Sequence, residues 1–200
     1  MFHEEFYENQ DISGITGEVT EIKKVKFIKC RFRHVDFQDF VFFSCIFENC
    51  SFAGCRMNGA EARNCAFLSC DFKFASLFAA TFNDCKMTGS QLSEADCFCM
   101  NILGGDWSYT DLHGVDFHKQ KLDGVSFQGA DLHGCRMDHC KITNCNFDGA
   151  NLSACNFSDS DIRTSQLSNV DFLSVHFKNT KIDVQQAVFM ANALGAVYEP

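Results

Sequence analysis

The chain has 200 residues, 46% of them hydrophobic and 22% charged, and lacks any apolar run of the ~20 residues that a membrane-spanning helix needs. This composition excludes a disordered chain and a miniature scaffold that depends on staples. Seventeen Lys plus Arg against 26 Asp plus Glu leave a net charge of −9, which argues against direct nucleic-acid binding and suits a basic partner.

Residues 1–19 carry Glu4, Glu5, Glu8, Asp11 and Glu18 with no Lys or Arg. Met1-Phe2-His3-Glu4-Glu5 has acid where a secretory signal has positive charge, and no apolar stretch comes after it. A cytoplasmic location with reduced thiols is therefore expected, although 13 Cys would suggest a disulfide framework in a secreted chain. Phe2, Tyr7 and Ile12 keep traces of the period that begins at residue 20, so the segment is expected to cap the start of that periodic region.

From Ile22 to Ile182 every fifth residue is apolar, 33 positions without a miss. At the chain's own hydrophobic content, chance would give such a run with probability roughly 10⁻¹¹. Two residues before each of these centres lies a second lane in which 30 of 33 residues are small, the exceptions being Phe40, Met100 and Gln120. Eleven of the 13 Cys fall in this lane and read as compact buried fillers. A period of five fits neither a helix nor a flat strand, because both would rotate successive centres away from a common face.

The phase never slips, so no loop is inserted anywhere between 22 and 182. Its weakest stretch is 95–107, where Cys97 occupies a centre and Met100 and Gly105 the small lane; a local bend or change of turn type is expected there. After Ile182 the pattern changes. Asp183 with Gln186 three residues on forms a capping-box signature, and Gly195 is a stop signal, so a helix of about ten residues is predicted between them. The helix is apolar nearly all round, so one stripe can cap the end of the periodic region while Val188, Phe189, Met190, Ala193 and Leu194, continued by Val197, are expected to form a homodimer interface, the alternative being a simple monomeric cap.

Ala130-Asp131-Leu132-His133-Gly134, Ala150-Asn151-Leu152-Ser153-Ala154 and Cys145-Asn146-Phe147-Asp148-Gly149 resemble the consensus of the pentapeptide-repeat family over about residues 20–184. The resemblance implies an all-β solenoid, a right-handed quadrilateral parallel β-helix with four pentapeptides per coil, so that residues 20 apart stack. The organisation is then an N-terminal cap (1–19), the β-helix (20–183) and a C-terminal helix and tail (184–200). At about 4.8 Å per coil the repeat would build a rod of roughly 40 Å.

Nothing in the sequence supplies an activated nucleophile, a phosphate loop or a metal-ligand cluster, so an enzyme, a cofactor and a bound metal are not expected. His113 and His133, beside Asp111 and Asp131, read as outward-facing surface residues. Grouping pentapeptides by face gives net charges of +1, 0, −2 and −2, with −5 from residues 1–19 and −1 from the tail. The third face carries Asp71, Asp111, Asp131 and Asp171 in one column, and the fourth carries Asp36, Asp96 and Asp116. A duplex of the rod's length would hold about 24 phosphate charges, far more than these faces do. Asp or Asn before the centre also belongs to the repeat consensus, where it can bond nearby backbone.

The uninterrupted rod and the terminus running Gln186-Ala187-Val188-Phe189-Met190-Ala191 resemble the Qnr and MfpA group of topoisomerase-protecting proteins. The absence of phase breaks is a departure from Qnr proteins, whose loops project, and brings the chain nearer to MfpA. The resemblance implies a dimeric, DNA-like rod that binds DNA gyrase or topoisomerase IV and counters quinolone-like poisons. Asp96, Asp111, Asp116, Asp131 and Asp171 are the acids it would turn to the enzyme. The alternative is a scaffold protein of the same fold with another partner.

Overall fold

In the computed structural model, which describes residues 5–13, 20–197 and 199, the chain winds as a parallel β-solenoid closed by one helix. Phe2, Glu4, Glu18 and Tyr198 lie outside the described residues. The strands are three residues long: β1 (Phe6–Glu8), β2 (Glu21–Lys23), β3 (Lys26–Ile28), β4 (Val41–Phe43), β5 (Ile46–Glu48), β6 (Glu61–Arg63), β7 (Ala66–Leu68), β8 (Thr81–Asn83), β9 (Asn101–Leu103), β10 (Lys121–Asp123) and β11 (Lys141–Thr143). All pairings are parallel and join residues 20 apart, as in Ile22↔Phe42 and Phe27↔Phe47. One coil is therefore four pentapeptides. The same offset runs on through single bridges as far as Asp161↔Lys181.

Segment 6–12 is more than a loose cover. β1 pairs with β3, setting Tyr7 against Phe27, and Asp11 bridges Arg31, so the segment adds a partial rung in the same 20-residue register and covers the first coil with it. Tyr7 and Ile12 pack on the core.

The centres are buried because the turn at each pentapeptide sends the chain around a corner. The residue two places after the centre adopts positive φ, as at Lys24 (φ 54°), Asn49 (φ 53°) and Asn144 (φ 54°). Asn, Asp and Gly are frequent in this lane because they tolerate that conformation best. With every corner turned alike, both inward lanes face one axis, and stacked rings fill the amino-terminal half. Phe27, Phe47 and Phe67 stack at centroid distances of 5.0 and 4.8 Å, and Phe32, Phe52 and Phe72 at 4.9 Å. Offset stacking at this spacing is favourable beyond the area buried.

The small lane does more than leave room. Cys Sγ donates to the carbonyl of a centre residue 23 positions earlier, as in Cys45 to Ile22 (3.3 Å), Cys135 to Leu112 (3.1 Å), Cys155 to Leu132 (2.8 Å) and Cys55 to Phe32. Ser and Thr in the lane make the same bond: Ser90 to Phe67 (2.8 Å) and Thr110 to Met87 (3.0 Å). Short side chains with a donor thus bridge the coils from inside. Gly105 is held by a stricter limit. At φ 95° a Cβ there would overlap the Cys85 carbonyl oxygen, so the chain admits only glycine beside the fully buried Trp107.

All 13 Cys are free; twelve are buried and Cys99 is exposed. Burial pushes Cys55 and Cys97 up to about 12, and Cys140 and Cys145 up to about 11. Because twelve of the thiols are shut from solvent, aromatic-disulfide titration of the native protein at pH 8 should find one fast thiol, lost in Cys99→Ser, with the rest reacting only on unfolding.

Candidate functional site

Each of the five candidate acids has a local task. A carboxylate oxygen of Asp96, Asp111, Asp116, Asp131 and Asp171 accepts the backbone N–H two residues on, from Phe98 (3.2 Å), His113 (3.2 Å), His118 (2.8 Å), His133 (3.0 Å) and Leu173 (2.9 Å). Asn146, Asn151 and Asn156 do the same through their amide oxygens. This is the turn bond that short polar side chains favour.

The third-face column is brought together from Asp71 through Gln91 to Asn151, but among the described residues no bridge links Asn151 to Asp171. Asp111 bridges Asp131, Asp131 bridges Asn151, and Asn151 Nδ2 donates to Asp131 Oδ1 at 2.9 Å. The His113 and His133 rings lie outside this column with centroids 4.9 Å apart. On the fourth face the column is neither continuous nor purely acidic. Asp36 pairs with Arg56, and Asp116 lies 3.4 Å from Arg136 Nη1. Asp138 sits between Arg136 Nε (2.7 Å) and His118 Nδ1 (2.9 Å); burial works against its ionisation, but these partners hold it below the usual carboxylate range. Bridges link Ser76 to Asp96 and Asp116 to Arg136, but among the described residues none links Asp96 to Asp116.

That gap is part of a larger opening. β9 ends one sheet and β10 begins another, whereas bridges 86↔106↔126 and 91↔111↔131 run unbroken on the other two faces. In intact coils a centre N–H and the N–H two residues after it donate to the next coil, as Phe37 does to Arg56 and Asp39 to Asn58, and the residue before a centre donates to the previous one, as Arg56 does to Val35. The corresponding backbone bonds from Cys97, Cys99, Gly104, Asp116 and Lys121 are absent from the described structure. The coils part where Met100 and Gln120 occupy consecutive rungs of the small lane. Met100 is fully buried, and Gln120 Nε2 donates to its carbonyl at 2.6 Å, in the place of the Lys121 backbone N–H. The irregularity expected at 95–107 is thus a one-sided parting of the ladder. It forms a cleft of about 850 Å³ lined by Phe98, Leu103, His118, Lys119, Gln120 and Lys121 among others, with a smaller hollow of about 190 Å³ on the other side of Phe98.

The C-terminal helix α1 (Val184–Ala193) has Asp183 as N-cap and the complete capping box: Gln186 N–H donates to Asp183 Oδ1 (2.9 Å) and Asp183 N–H to Gln186 Oε1 (3.0 Å). Gln186 is also the buried anchor of the helix, a role that its capping signature does not announce. Its Nε2 donates to the carbonyls of Ile162 (2.7 Å) and Ser165 (2.8 Å), which closes the last coil through polar bonds. Of the proposed interface residues, Met190 packs against the core and belongs to the capping side. Val188 and Phe189 are half-buried, and Ala193, Leu194 and Val197 are exposed, Leu194 at 74% and Val197 at 83%.

No group of three or more His, Cys, Asp or Glu placed to hold a metal ion occurs among the described residues, and none of their helices is long and apolar enough to cross a membrane. The model of the pentapeptide repeat region matches residues 110–186, and that of the SV2A/B/C luminal domain matches residues 3–92. No curated protein matches the sequence. Among solved structures the chain is similar to a trypsin-treated point variant of QnrB1, a plasmid-mediated fluoroquinolone resistance protein, at TM-score 0.82 and 23% identity, over 96% of this chain and 97% of that one. Full-length QnrB1 gives 0.78 at 21% identity, over 95% and 99%. HetL, a pentapeptide repeat protein involved in heterocyst differentiation regulation from the cyanobacterium Nostoc sp. strain PCC 7120, gives 0.60 at 16% identity, over 88% and 86%.

The Asp183 carboxylate also accepts the Thr164 N–H (3.0 Å), and the Gln186 and Thr164 bonds hold it below the usual carboxylate range. A lowered pKa gives stability that is full above the unfolded value of about 3.9 and fades as pH falls below it. Asp183→Ala should cost about 1 kcal/mol in chemical unfolding at pH 7. Asp183→Asn should keep most of the cap while flattening the acid limb of the stability curve below about pH 4.

Proposed function

We propose that this chain, a pentapeptide-repeat protein with the solenoid fold of QnrB1, is a non-catalytic binding protein of the fluoroquinolone-resistance type. In this reading two copies join through the outer side of α1 and the segment after it, with Val188, Phe189 and Ala193 on the helix and the exposed Leu194 and Val197 just beyond it. The rod then presents its acidic third face to the basic DNA-binding surface of a type II topoisomerase, DNA gyrase or topoisomerase IV. The observation that carries the reading is the agreement in fold with QnrB1 over 96% of this chain and 97% of that one. The aligned Asp111 and Asp131 supply the complementary charge, with the exposed Asp171 farther along the same face beyond Asn151. Asp116 is a weaker candidate because Arg136 offsets its charge, and the parted ladder separates it from Asp96.

A second reading has its own observation. All five acids accept turn bonds, so their presence is accounted for by the fold alone, and a scaffold with a different partner would need the same residues. Asn keeps the turn bond and removes the charge, so it separates the two readings where charge reversal would disturb both.

The measurement is DNA supercoiling by purified gyrase with a fluoroquinolone, titrating this protein at low and moderate salt. Restored or altered supercoiling that fades with salt is expected. Asp111→Asn, Asp131→Asn and Asp171→Asn combined should weaken the effect several-fold with the thermal midpoint unchanged. Leu194→Glu should yield monomers in sedimentation. No effect on gyrase or topoisomerase IV by the folded dimer would overturn the reading in favour of the scaffold.

A further inference from the structure

The cleft between β9 and β10 lies apart from the acidic third face and the C-terminal helix, and of the candidate acids only Asp116 borders it. Its floor and rim are apolar: Ile102 is buried in its wall, while Phe98 and Leu103 remain 59% and 49% exposed, and Phe98 extends the surface by stacking on the exposed Phe78 at 6.1 Å. Its far side carries Lys119, Lys121 and Arg136 against one carboxylate, Asp116, which lies 3.4 Å from Arg136. Lys119 and Lys121 are exposed, and neither forms an ion pair among the described residues, in contrast to the neighbouring Arg136, which is held by Asp116 and Asp138. On a chain of net charge −9 this is a local reversal of sign.

The walls also present backbone. By the pattern of every intact coil, the N–H groups of Cys97, Cys99 and Gly104 point toward the following coil and those of Asp116 and Lys121 toward the preceding one; here both directions lead into the opening. Unpaired strand edges are templates for another extended chain. Such a chain alternates its side chains between two sides, so one set can lie on an apolar floor while the other faces the lysines.

We infer that this parted ladder is a docking groove for an extended acidic segment of a partner protein. The segment pairs its backbone with the free edge at 97–104 or 116–121, seats apolar side chains on Phe98 and Leu103, and places carboxylates against Lys119 and Lys121. The occupant is recognised by three independent features: an open edge, an apolar floor and unpaired cations. None of them depends on the topoisomerase reading or on the dimer.

The test uses the full-length protein and a fluorescein-labelled peptide of about eight residues that alternates valine and glutamate, read by polarisation. Three controls accompany it: a valine–lysine peptide, the glutamate peptide N-methylated at alternate residues, and a labelled single-stranded oligonucleotide. Saturable binding of the glutamate peptide is expected, at least tenfold weaker for the lysine and N-methylated peptides. Lys119→Glu with Lys121→Glu should weaken it at least tenfold with the melting midpoint unchanged, both residues being exposed. Met100→Ala with Gln120→Ala returns the lane to small residues. It should abolish binding and raise hydrogen-exchange protection at Cys97, Gly104 and Lys121. Equal binding of the lysine or N-methylated peptide, tighter binding of the oligonucleotide, no saturable binding, or undiminished binding by the lysine variant would each overturn the inference.

Discussion

Neighbouring coils hydrogen-bond where the corner residues ahead of successive centres leave room for one backbone to lie against the next, which small side chains do at nearly every rung. The 20-residue ladder and the stacked rings depend on that limit on volume. Where the lane holds Cys, Ser or Thr, the side chain adds a bond of its own to the coil below, so the lane both permits and reinforces contact. Where it holds Met100 and Gln120 in succession, the ladder parts on two faces while the other two stay paired. Phe40, the third large residue of the lane, does not part it: Glu61 N–H still reaches the Phe40 carbonyl at 2.8 Å. One bulky ring is absorbed by the aromatic cluster with Phe37 and Phe42, whereas two bulky residues on adjacent rungs are not.

Much of this was legible because a period of five with two inward lanes leaves few ways to bury 33 centres. Asp183, Gln186 and Gly195 likewise placed the helix, since capping is local chemistry that needs no tertiary context. The register of Tyr7 and Ile12 was visible only as a trace, because flanking residues without the small lane do not announce a rung. The lanes also gave no sign that Gln186 would be buried: a capping-box glutamine looks alike whether its amide meets water or the carbonyls of a closing coil. The cleft lay between these cases. Met100 and Gln120 stood out as exceptions, but their joint effect depends on the stacking by 20 that places them on neighbouring rungs.

The acids show how a fold can obscure function. A carboxylate has two oxygens, and in each candidate acid one accepts the turn N–H while the carboxylate keeps its negative charge. Structural and electrostatic roles are therefore compatible in the same residue, and the repeat consensus cannot separate them. Position does discriminate. Asp111 and Asp131 stand on adjacent rungs with no cation paired to either among the described residues, whereas Asp36 and Asp116 face arginines one coil away. The net potential of a face is set by such cross-coil neighbours more than by the count of acids in its column.

A filled solenoid leaves recognition to its outer faces and its ends, because the axis is occupied by side chains. Polar closure of the last coil has a consequence for the C-terminal end. Since Gln186 and the capping box hold α1 in place through hydrogen bonds, with Met190 packing beneath, the helix need not turn its remaining apolar residues inward. Leu194 and Val197 can stay outside without loosening the cap. The parted ladder separates the same two requirements in the middle of the rod. The unbroken faces keep the coils in register, and the opened faces expose apolar surface and backbone that elsewhere serve the fold. At both places the continuity of the solenoid is carried by one set of bonds, which leaves another set of groups free to meet a partner.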